Sequence, residues 1–383
     1  MPSAAKPKLA IVTESLRSDN HAPLRFFQNI TVTHFYWNAP YGHMHSDELA
    51  GAVKYRNPLD LYRKLVAFKP DLIQGSEPYA SRRSLLLSFV TAWAARRLKV
   101  PYVFPTLENL PPRERFGGVI GTLVERYFSW YTRHARAIIA LNNGAAANLR
   151  VARVPDSKIV RFLWGVWGVD RTIFKPTRKV PHAVFEKPTI LFVGRLDPEK
   201  GIRDVLDAFA DLAGQHPDWQ LVFLGRGMLE EEIRVFARAN RLTERIHLFG
   251  IIANRDLPAY YSAAKATVYP SVATRRGEEA GIQGWSEQVG TVILQSLACG
   301  TPVVATRSGA IPEYLLEGGI LVPEHDPEAL ARSIAQVMTD DGLHARLERE
   351  GLRYIAERFD AQKNVERAEE LVALWTKLKG HDR

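Results

Sequence analysis

Residues 287–302 read EQVGTVILQSLACGTP, and three kinds of group in this stretch could do chemistry together. Glu287 and Gln295 are eight residues apart, a little over two helical turns, so one helical face could carry both a carboxylate and a carboxamide. If Gly290 opens that helix, the backbone N–H groups of Gly290, Thr291 and Val292 point out of its N-terminus, where anions bind readily. Such a set suits a ligand that carries both hydroxyls and phosphate. A second set lies in LFVGRLDPEKGIRDVLDAF (191–209), where Arg195 follows a strand and Lys200 precedes a helix. A planar guanidinium fork and an ammonium point charge suit a diphosphate. The same spacing fits, equally well, ion pairs with Asp197 and Glu199 on a surface loop. Gly225 and Gly227 in FLGRG (223–227) start a dinucleotide-binding pattern, but its third glycine position is Glu230. A tight strand-to-helix turn is the better reading, with Gly225 still able to admit a nucleotide close to the backbone.

The elements that must position these residues alternate. Short apolar runs read as strands at 8–15, 71–77, 102–108 and 137–142, with helical patterns at 58–69, 81–99 and 121–136 between them. FLWGVWGVDRTIFKPTRKVPHAVFEKP (162–188) has no period and reads as an interdomain connection. A second set follows, with strands at 189–196, 219–227, 245–250, 266–271 and 302–307 and helices at 202–216 and 229–241. Repeated βα alternation predicts two parallel sheets covered by helices, with ligands beyond the carboxyl ends of the strands, in a cleft between the two domains.

Composition narrows the function classes. At 383 residues two domains are expected. One cysteine, Cys299, excludes an internal disulfide framework and fits a reducing, cytoplasmic setting, and it reads as a small buried residue at a helix end. The first residues, MPSAAKPKLAIVTES, lack a secretory pattern, and LLLSFVTAWAA (85–95) is too short to span a bilayer. The histidines show no metal-ligand spacing, so no metal site is expected. Residues 1–165 hold 23 Lys and Arg against 11 Asp and Glu, whereas the remainder holds 28 against 31. A basic first half allows an anionic membrane surface as partner, or simply a basic solvated face. No nucleic-acid signature accompanies it, and none is expected as partner.

GRLDPEKGI, FLGRG, HLFG, YYSAAKATVYPS, EQVGTVILQSLACGTPVVATRSGAIPE and GGILVPEHDPEALARSI occur in one order that resembles the retaining glycosyltransferases of family 4. GVDRTIFKP (168–176) is similar to that family's interdomain phrase. The resemblance runs through nearly all of 165–375. It implies a GT-B fold: two Rossmann-like α/β domains, an acceptor-binding one at 1–168 and a nucleotide-sugar-binding one at 169–358, with a C-terminal helix at 359–383 returning to the first. It implies transfer of a hexose from a UDP-, GDP- or ADP-sugar to a glycan, a lipid-linked sugar or a small molecule, without cofactor or metal. Arg195 and Lys200 would hold the diphosphate, Glu287 the sugar hydroxyls, and residue 295 the ribose.

Departures from the pattern are specific. The second glutamate of the family's Glu-x7-Glu motif is Gln295 here, at a cost of about 1 kcal/mol of charge-assisted bonding. The loop TESLRSDNHAPL has no glycine, and the family's sugar-proximal His is replaced by Glu108 and Asn109. An insertion at 272–286 brings Arg275, Arg276 and Trp285 near the donor pocket, as a lid, an acceptor contact or a surface loop. A nucleotide-binding oxidoreductase and a non-catalytic binder of anionic surfaces or nucleic acid are the rival classes. Donor phosphate assistance on one face of the sugar is the mechanism the resemblance implies. The basic helices of the first half add an expectation of peripheral attachment at the inner membrane face, with charge carrying it because SLLLSFVTAWAA is expected in the core.

Overall fold

A computed structural model describes residues 5–38, 49–78, 80–274 and 284–377. The chain divides into two compact units, Met1–Trp167 with Ala361–Arg383, and Gly168–Asp360.

In the first unit the strands are β1 (Lys8–Thr13), β2 (Thr31–Tyr36), β3 (Ala52–Lys54), β4 (Leu72–Gln74), β5 (Tyr102–Thr106), β6 (Ala137–Ala140) and β7 (Ile159–Arg161). Its helices are α1 (Ser18–His21), α2 (Pro58–Phe68), α3 (Arg82–Leu98), α4 (Pro112–Phe116), α5 (Gly118–His134) and α6 (Asn143–Val151). The sheet is parallel throughout, in the order β3-β2-β1-β4-β5-β6-β7. Three of the helices start on side chains suited to the task. Asn57, Ser81 and Asn142 each accept a hydrogen bond from a backbone N–H in the first turn. Leu61 and Leu65 of α2, Leu87 and Ala94 of α3 and Phe128 of α5 pack on Ala10, Val12, Ile73 and Phe104 of the sheet.

The second unit holds β8 (Thr189–Val193), β9 (Gln220–Leu224), β10 (Ile246–Gly250), β11 (Ala266–Tyr269), β12 (Val303–Thr306) and β13 (Gly319–Val322). Its helices are α7 (Ile202–Gln215), α8 (Glu230–Ala239), α9 (Leu257–Ala263), α10 (Thr291–Ala298), α11 (Ile311–Leu315), α12 (Pro327–Thr339) and α13 (Asp341–Arg358). This sheet too is parallel, ordered β10-β9-β8-β11-β12-β13. The last helix, α14 (Ala361–Lys377), belongs to the first unit. Its Glu369 carboxylate accepts the N–H groups of Gln28 and Asn29 at 2.7 and 2.6 Å.

Two sequence readings are corrected here. The strands β2, β3, β7 and β13 were not legible, because β2 breaks its apolar run with threonines and a histidine, β3 and β7 are only three residues long, and β13 is a partly buried run of only four. The stretch 162–188 is not uniformly a connection. Trp164 and Trp167 are fully buried in the first unit, their indole N–H groups donating to Gln74 Oε1 at 2.6 Å and to the Asn20 carbonyl at 3.0 Å. The division between units falls directly after Trp167.

Candidate functional site

Three loops at the carboxyl ends of β8, β11 and β12 meet in the second unit. Gly201, at φ +67°, lets the β8 loop close onto the backbone of Pro270, where any Cβ would collide with the carbonyl. Gly309, at φ +49°, lies against the backbone of Glu287 in the same way, and the Ala310 N–H donates to the Glu287 carbonyl at 2.8 Å. These close approaches bring Lys200 to Glu287. Lys200 Nζ donates to Glu287 Oε2 at 2.7 Å, and Ser271 Oγ donates to the same oxygen at 2.9 Å. Both charged side chains are largely buried, at 12% and 7% exposure. The ammonium also sits over the Trp285 ring at 4.3 Å and the Tyr269 ring at 5.6 Å, a cation–π cage. Burial and then the adjoining Glu287 carboxylate push the Tyr269 hydroxyl well above the usual tyrosine range.

The helix expectation needs one correction. Gly290 caps α10, which begins at Thr291, so Glu287 lies in the preceding loop and shares no helical face with Gln295. Of the three N–H groups expected at this end, that of Thr291 donates to the Val289 carbonyl at 3.1 Å. Val292 follows in the first turn of α10. Gln295 is buried inside the helix. Its Oε1 accepts from the Tyr261 hydroxyl at 3.2 Å, and its Nε2 donates to Asn254 Oδ1 at 3.1 Å. Those two bonds leave one N–H and one lone pair of the carboxamide for a ligand.

Arg195 and Lys200 part company. Arg195 is half exposed and pairs with Asp197 and with Glu199, the latter at 2.6 Å, as the surface-loop alternative has it for this one cation. Lys200 pairs with neither of those acids but with Glu287. Gly225 and Gly227 are explained by packing: a Cβ on Gly225 would collide with the Gly194 carbonyl, and one on Gly227 would sit 2.5 Å from Leu196 backbone carbon. The β9 turn is thus shaped by the β8 turn, and the partial dinucleotide pattern has a structural origin. Cys299 caps the end of α10, buried, and burial pushes its thiol up to about 12. Arg275 and Arg276 lie outside the described residues, while Thr274 and Trp285 pair by reciprocal backbone bonds at 2.8 and 3.0 Å and bring the insertion's two ends together.

In the first unit, Glu108 and Asn109 follow β5. Glu108 is buried; its carboxylate pairs with Arg115 and accepts the Leu110 N–H at 3.2 Å. Its backbone N–H donates to Glu77 Oε1 at 3.3 Å, and Glu77 also accepts from the Thr106 hydroxyl and from the Leu107 N–H at 3.3 Å. Burial raises Glu77 to about 7, against the lowering effect of the Thr106 and Leu107 bonds and of Arg115. Asn109 packs against the backbone of Gly144 at the start of α6, so closely that a Cβ there would meet its side chain at 2.5 Å.

Sequence reasoning missed Ser271, Tyr269, Tyr261 and Asn254. The first three stand within YYSAAKATVYPS but carry no spacing signal, and IIANRDL around Asn254 carries none either.

Comparison with known proteins agrees with this layout. A glycosyl transferases group 1 model matches residues 174–354, and a glycosyl transferase 4-like domain model matches residues 10–163. The D-inositol 3-phosphate glycosyltransferase of Acidothermus cellulolyticus is 32% identical over 215 residues, covering 52% of this chain and 45% of that protein. The glycogen synthase of Mycobacterium tuberculosis is 29% identical over 301 residues, covering 77% and 67%. The chain therefore spans about half the length of the first of these relatives. Among solved structures, Anabaena HepE in complex with UDP and glucose superposes with a TM-score of 0.75 at 18% identity, covering 96% of this chain and 99% of that one. Sucrose-phosphate synthase from Thermosynechococcus elongatus gives 0.66 at 20% identity, covering 96% and 99%. The fold is GT-B, and a glycosyl transferase 4-like domain followed by a glycosyl transferases group 1 domain together account for most of the chain.

Proposed function

We propose that this protein is a retaining, metal-independent glycosyltransferase that moves a hexose from a nucleotide diphosphate sugar to a hydroxyl acceptor. The observation that carries the reading is the buried Lys200–Glu287 pair at the strand ends of the second unit, beside the N-terminus of α10. A donor diphosphate entering there offers Lys200 a second anionic partner, so the ammonium can move toward the phosphates and leave Glu287 Oε2 to accept sugar hydroxyls. Arg195, released from Asp197 and Glu199, adds a planar fork to the same diphosphate. These two cations supply the countercharge that a departing nucleoside diphosphate needs, which is why the reading is metal-independent. Gln295 takes the ribose through its remaining donor and acceptor. With no protein base assigned, the acceptor proton passes to a donor phosphate oxygen as the new glycosidic bond forms and the sugar–phosphate bond breaks on one face. The N-terminal unit carries the acceptor, a glycan, lipid-linked sugar or small molecule, and peripheral attachment to an anionic leaflet belongs to the same reading.

The relatives named above support the class, and HepE, with UDP and glucose bound, supports a nucleotide-sugar donor. The test is a panel of UDP-, GDP- and ADP-sugars with mass spectrometry of the products and NMR of the anomeric centre. Transfer with retained configuration, unchanged by EDTA, is expected. Inversion, or activity lost to EDTA and restored by Mn²⁺, overturns the mechanism, and inertness toward every donor overturns the enzyme class.

A further inference from the structure

The stretch SLLLSFVTAWAA, expected in the core, is split between core and solvent. Leu87, Val90 and Ala94 of α3 are buried, but Leu86, Phe89 and Trp93 are 42%, 47% and 56% exposed. Positions 82, 86, 89, 93, 96 and 97 lie along one helical stripe, which reads Arg, Leu, Phe, Trp, Arg, Arg. The outer stripe of α5 has the same character, with Val119, Leu123 and Trp130 exposed and Arg126 and Arg133 between and after them. The two stripes adjoin. Phe89 and Tyr127 rings are 4.2 Å apart, and the Ser88 and Tyr127 hydroxyls are 2.9 Å apart. Trp93 stacks on Tyr62 of α2 at 4.2 Å, extending the face across a third helix. No acidic residue occurs in α3, and the single one in α5, Glu125, accepts from Arg113 Nε at 2.8 Å.

We propose that this α2–α3–α5 face of the first unit is a docking surface for an anionic lipid bilayer. The inference deepens the membrane part of the proposed function and rests on none of its donor chemistry. Ordinary covering helices of a parallel sheet put charge where these put Leu, Phe and Trp. The aliphatic centres and aromatic rings suit the headgroup–acyl boundary, and the flanking guanidinium groups suit anionic headgroups. Charge complementarity chooses the occupant: two copies of this face would set arginine against arginine, and a nucleic acid offers no partner for Leu86, Val119 and Leu123. No helix among the described residues is long and apolar enough to cross a membrane, so the surface rests on the bilayer rather than spanning it.

The experiment is flotation of the full chain with phosphatidylcholine vesicles, with and without phosphatidylglycerol, across a salt series. Two paired variants accompany it, Trp93→Ser with Leu123→Ser and Arg96→Ser with Arg97→Ser, each checked for an unchanged melting profile. Wild type should bind only the phosphatidylglycerol vesicles and be released by salt. Each pair should weaken binding about tenfold or more, and the arginine pair should also flatten the salt dependence. Equal binding to neutral vesicles, no vesicle binding, or variants that match wild type would overturn the proposal. So would a wild-type dimer that the apolar pair dissociates, which would assign the face to a second copy. Retention on duplex DNA insensitive to the apolar pair would assign it to nucleic acid. Donor turnover in the same samples separates the two ideas, since lost docking with normal turnover sinks only this one.

Discussion

Each unit buries acid at the carboxyl ends of its strands, Glu77 and Glu108 in the first and Glu287 in the second, yet the two settings are built differently. In the first unit, Glu77 and Glu108 are held by N–H groups of Leu107, Glu108 and Leu110, by the Thr106 hydroxyl and by Arg115, all within the loop that follows β5 or beside it. In the second, the partners of Glu287 include Lys200, 87 residues away in sequence, and the hydroxyls of Ser271 and Tyr269. Backbone N–H groups cannot leave a carboxylate without undoing their loop. A lysine on a flexible stem can exchange one anion for another. The same chemistry of buried acids therefore makes a fixed scaffold in one unit and an exchangeable ion pair in the other, and the nature of the partner decides which.

The sharpest way to break this contrast is to remove the acid on each side. Glu287→Ala should lower turnover by about 10²–10³ while leaving affinity for bare nucleoside diphosphate intact or tighter, because Lys200 loses its competitor. Calorimetry alongside product formation checks this, and a parallel fall in nucleotide affinity would move Glu287 to the wrong part of the donor. Glu108→Gln, by contrast, leaves Arg115 buried without its carboxylate and should cost about 3 kcal/mol of folding stability, read from denaturant midpoints, with turnover of the folded enzyme nearly unchanged. Lost turnover at unchanged stability would make Glu108 an acceptor contact after all.

Smaller effects sharpen the picture within the second unit. Lys200→Ala should weaken nucleoside diphosphate binding by about 2–3 kcal/mol. Arg195→Ala should cost less, about 1.5 kcal/mol, since wild-type Arg195 must first leave Asp197 and Glu199. Equal affinities for Arg195→Ala and wild type would confine that guanidinium to its surface loop. Trp285→Ala removes one wall of the lysine cage and should cost about 1 kcal/mol in the same titration, with Trp285→Phe restoring most of it.

The scaffold of the first unit has a pH signature of its own. His34 is buried 3.1 Å from His21, and burial, then His21, hold it down to about 3 from its ordinary 6.5. The unfolded chain thus takes up a proton that the folded one refuses. The stability this contributes is whole above about pH 6.5 and drains away as pH falls toward about 3. Glu77 acts in the other direction: raised from 4.5 to about 7, it contributes fully below pH 4.5 and loses that contribution as pH rises through 7. Denaturant midpoints across this range should show a shallower acid limb for His34→Gln and a shallower alkaline limb for Glu77→Gln. Unchanged limbs in both variants would place the pH dependence elsewhere.

Much of this was already written along the chain. Nine of the strands announce themselves as short apolar runs, because a strand covered on both faces needs no polar alternation. Arg195 and Lys200 stand out because polar groups follow such a run at fixed points, where parallel sheets expose their loops, whereas Glu287 and Gln295 stand out by their spacing around Gly290. Partner choice was beyond reach. Nothing between positions 195 and 200 says that the arginine stays with Asp197 and Glu199 while the lysine crosses to Glu287. That outcome rests on Gly201 and Gly309 allowing the backbones of separate loops to touch. Nor could periodicity tell which side of α3 meets the sheet, since LLLSFVTAW is apolar all round; only packing on β1, β4 and β5 buries Leu87 and Val90 and turns Leu86, Phe89 and Trp93 to solvent. Local composition determines where strands, turns and charged groups lie along a chain. Which charges meet, and which apolar faces stay bare, is decided by contacts between residues far apart in sequence, and those exist only once the sheets have formed.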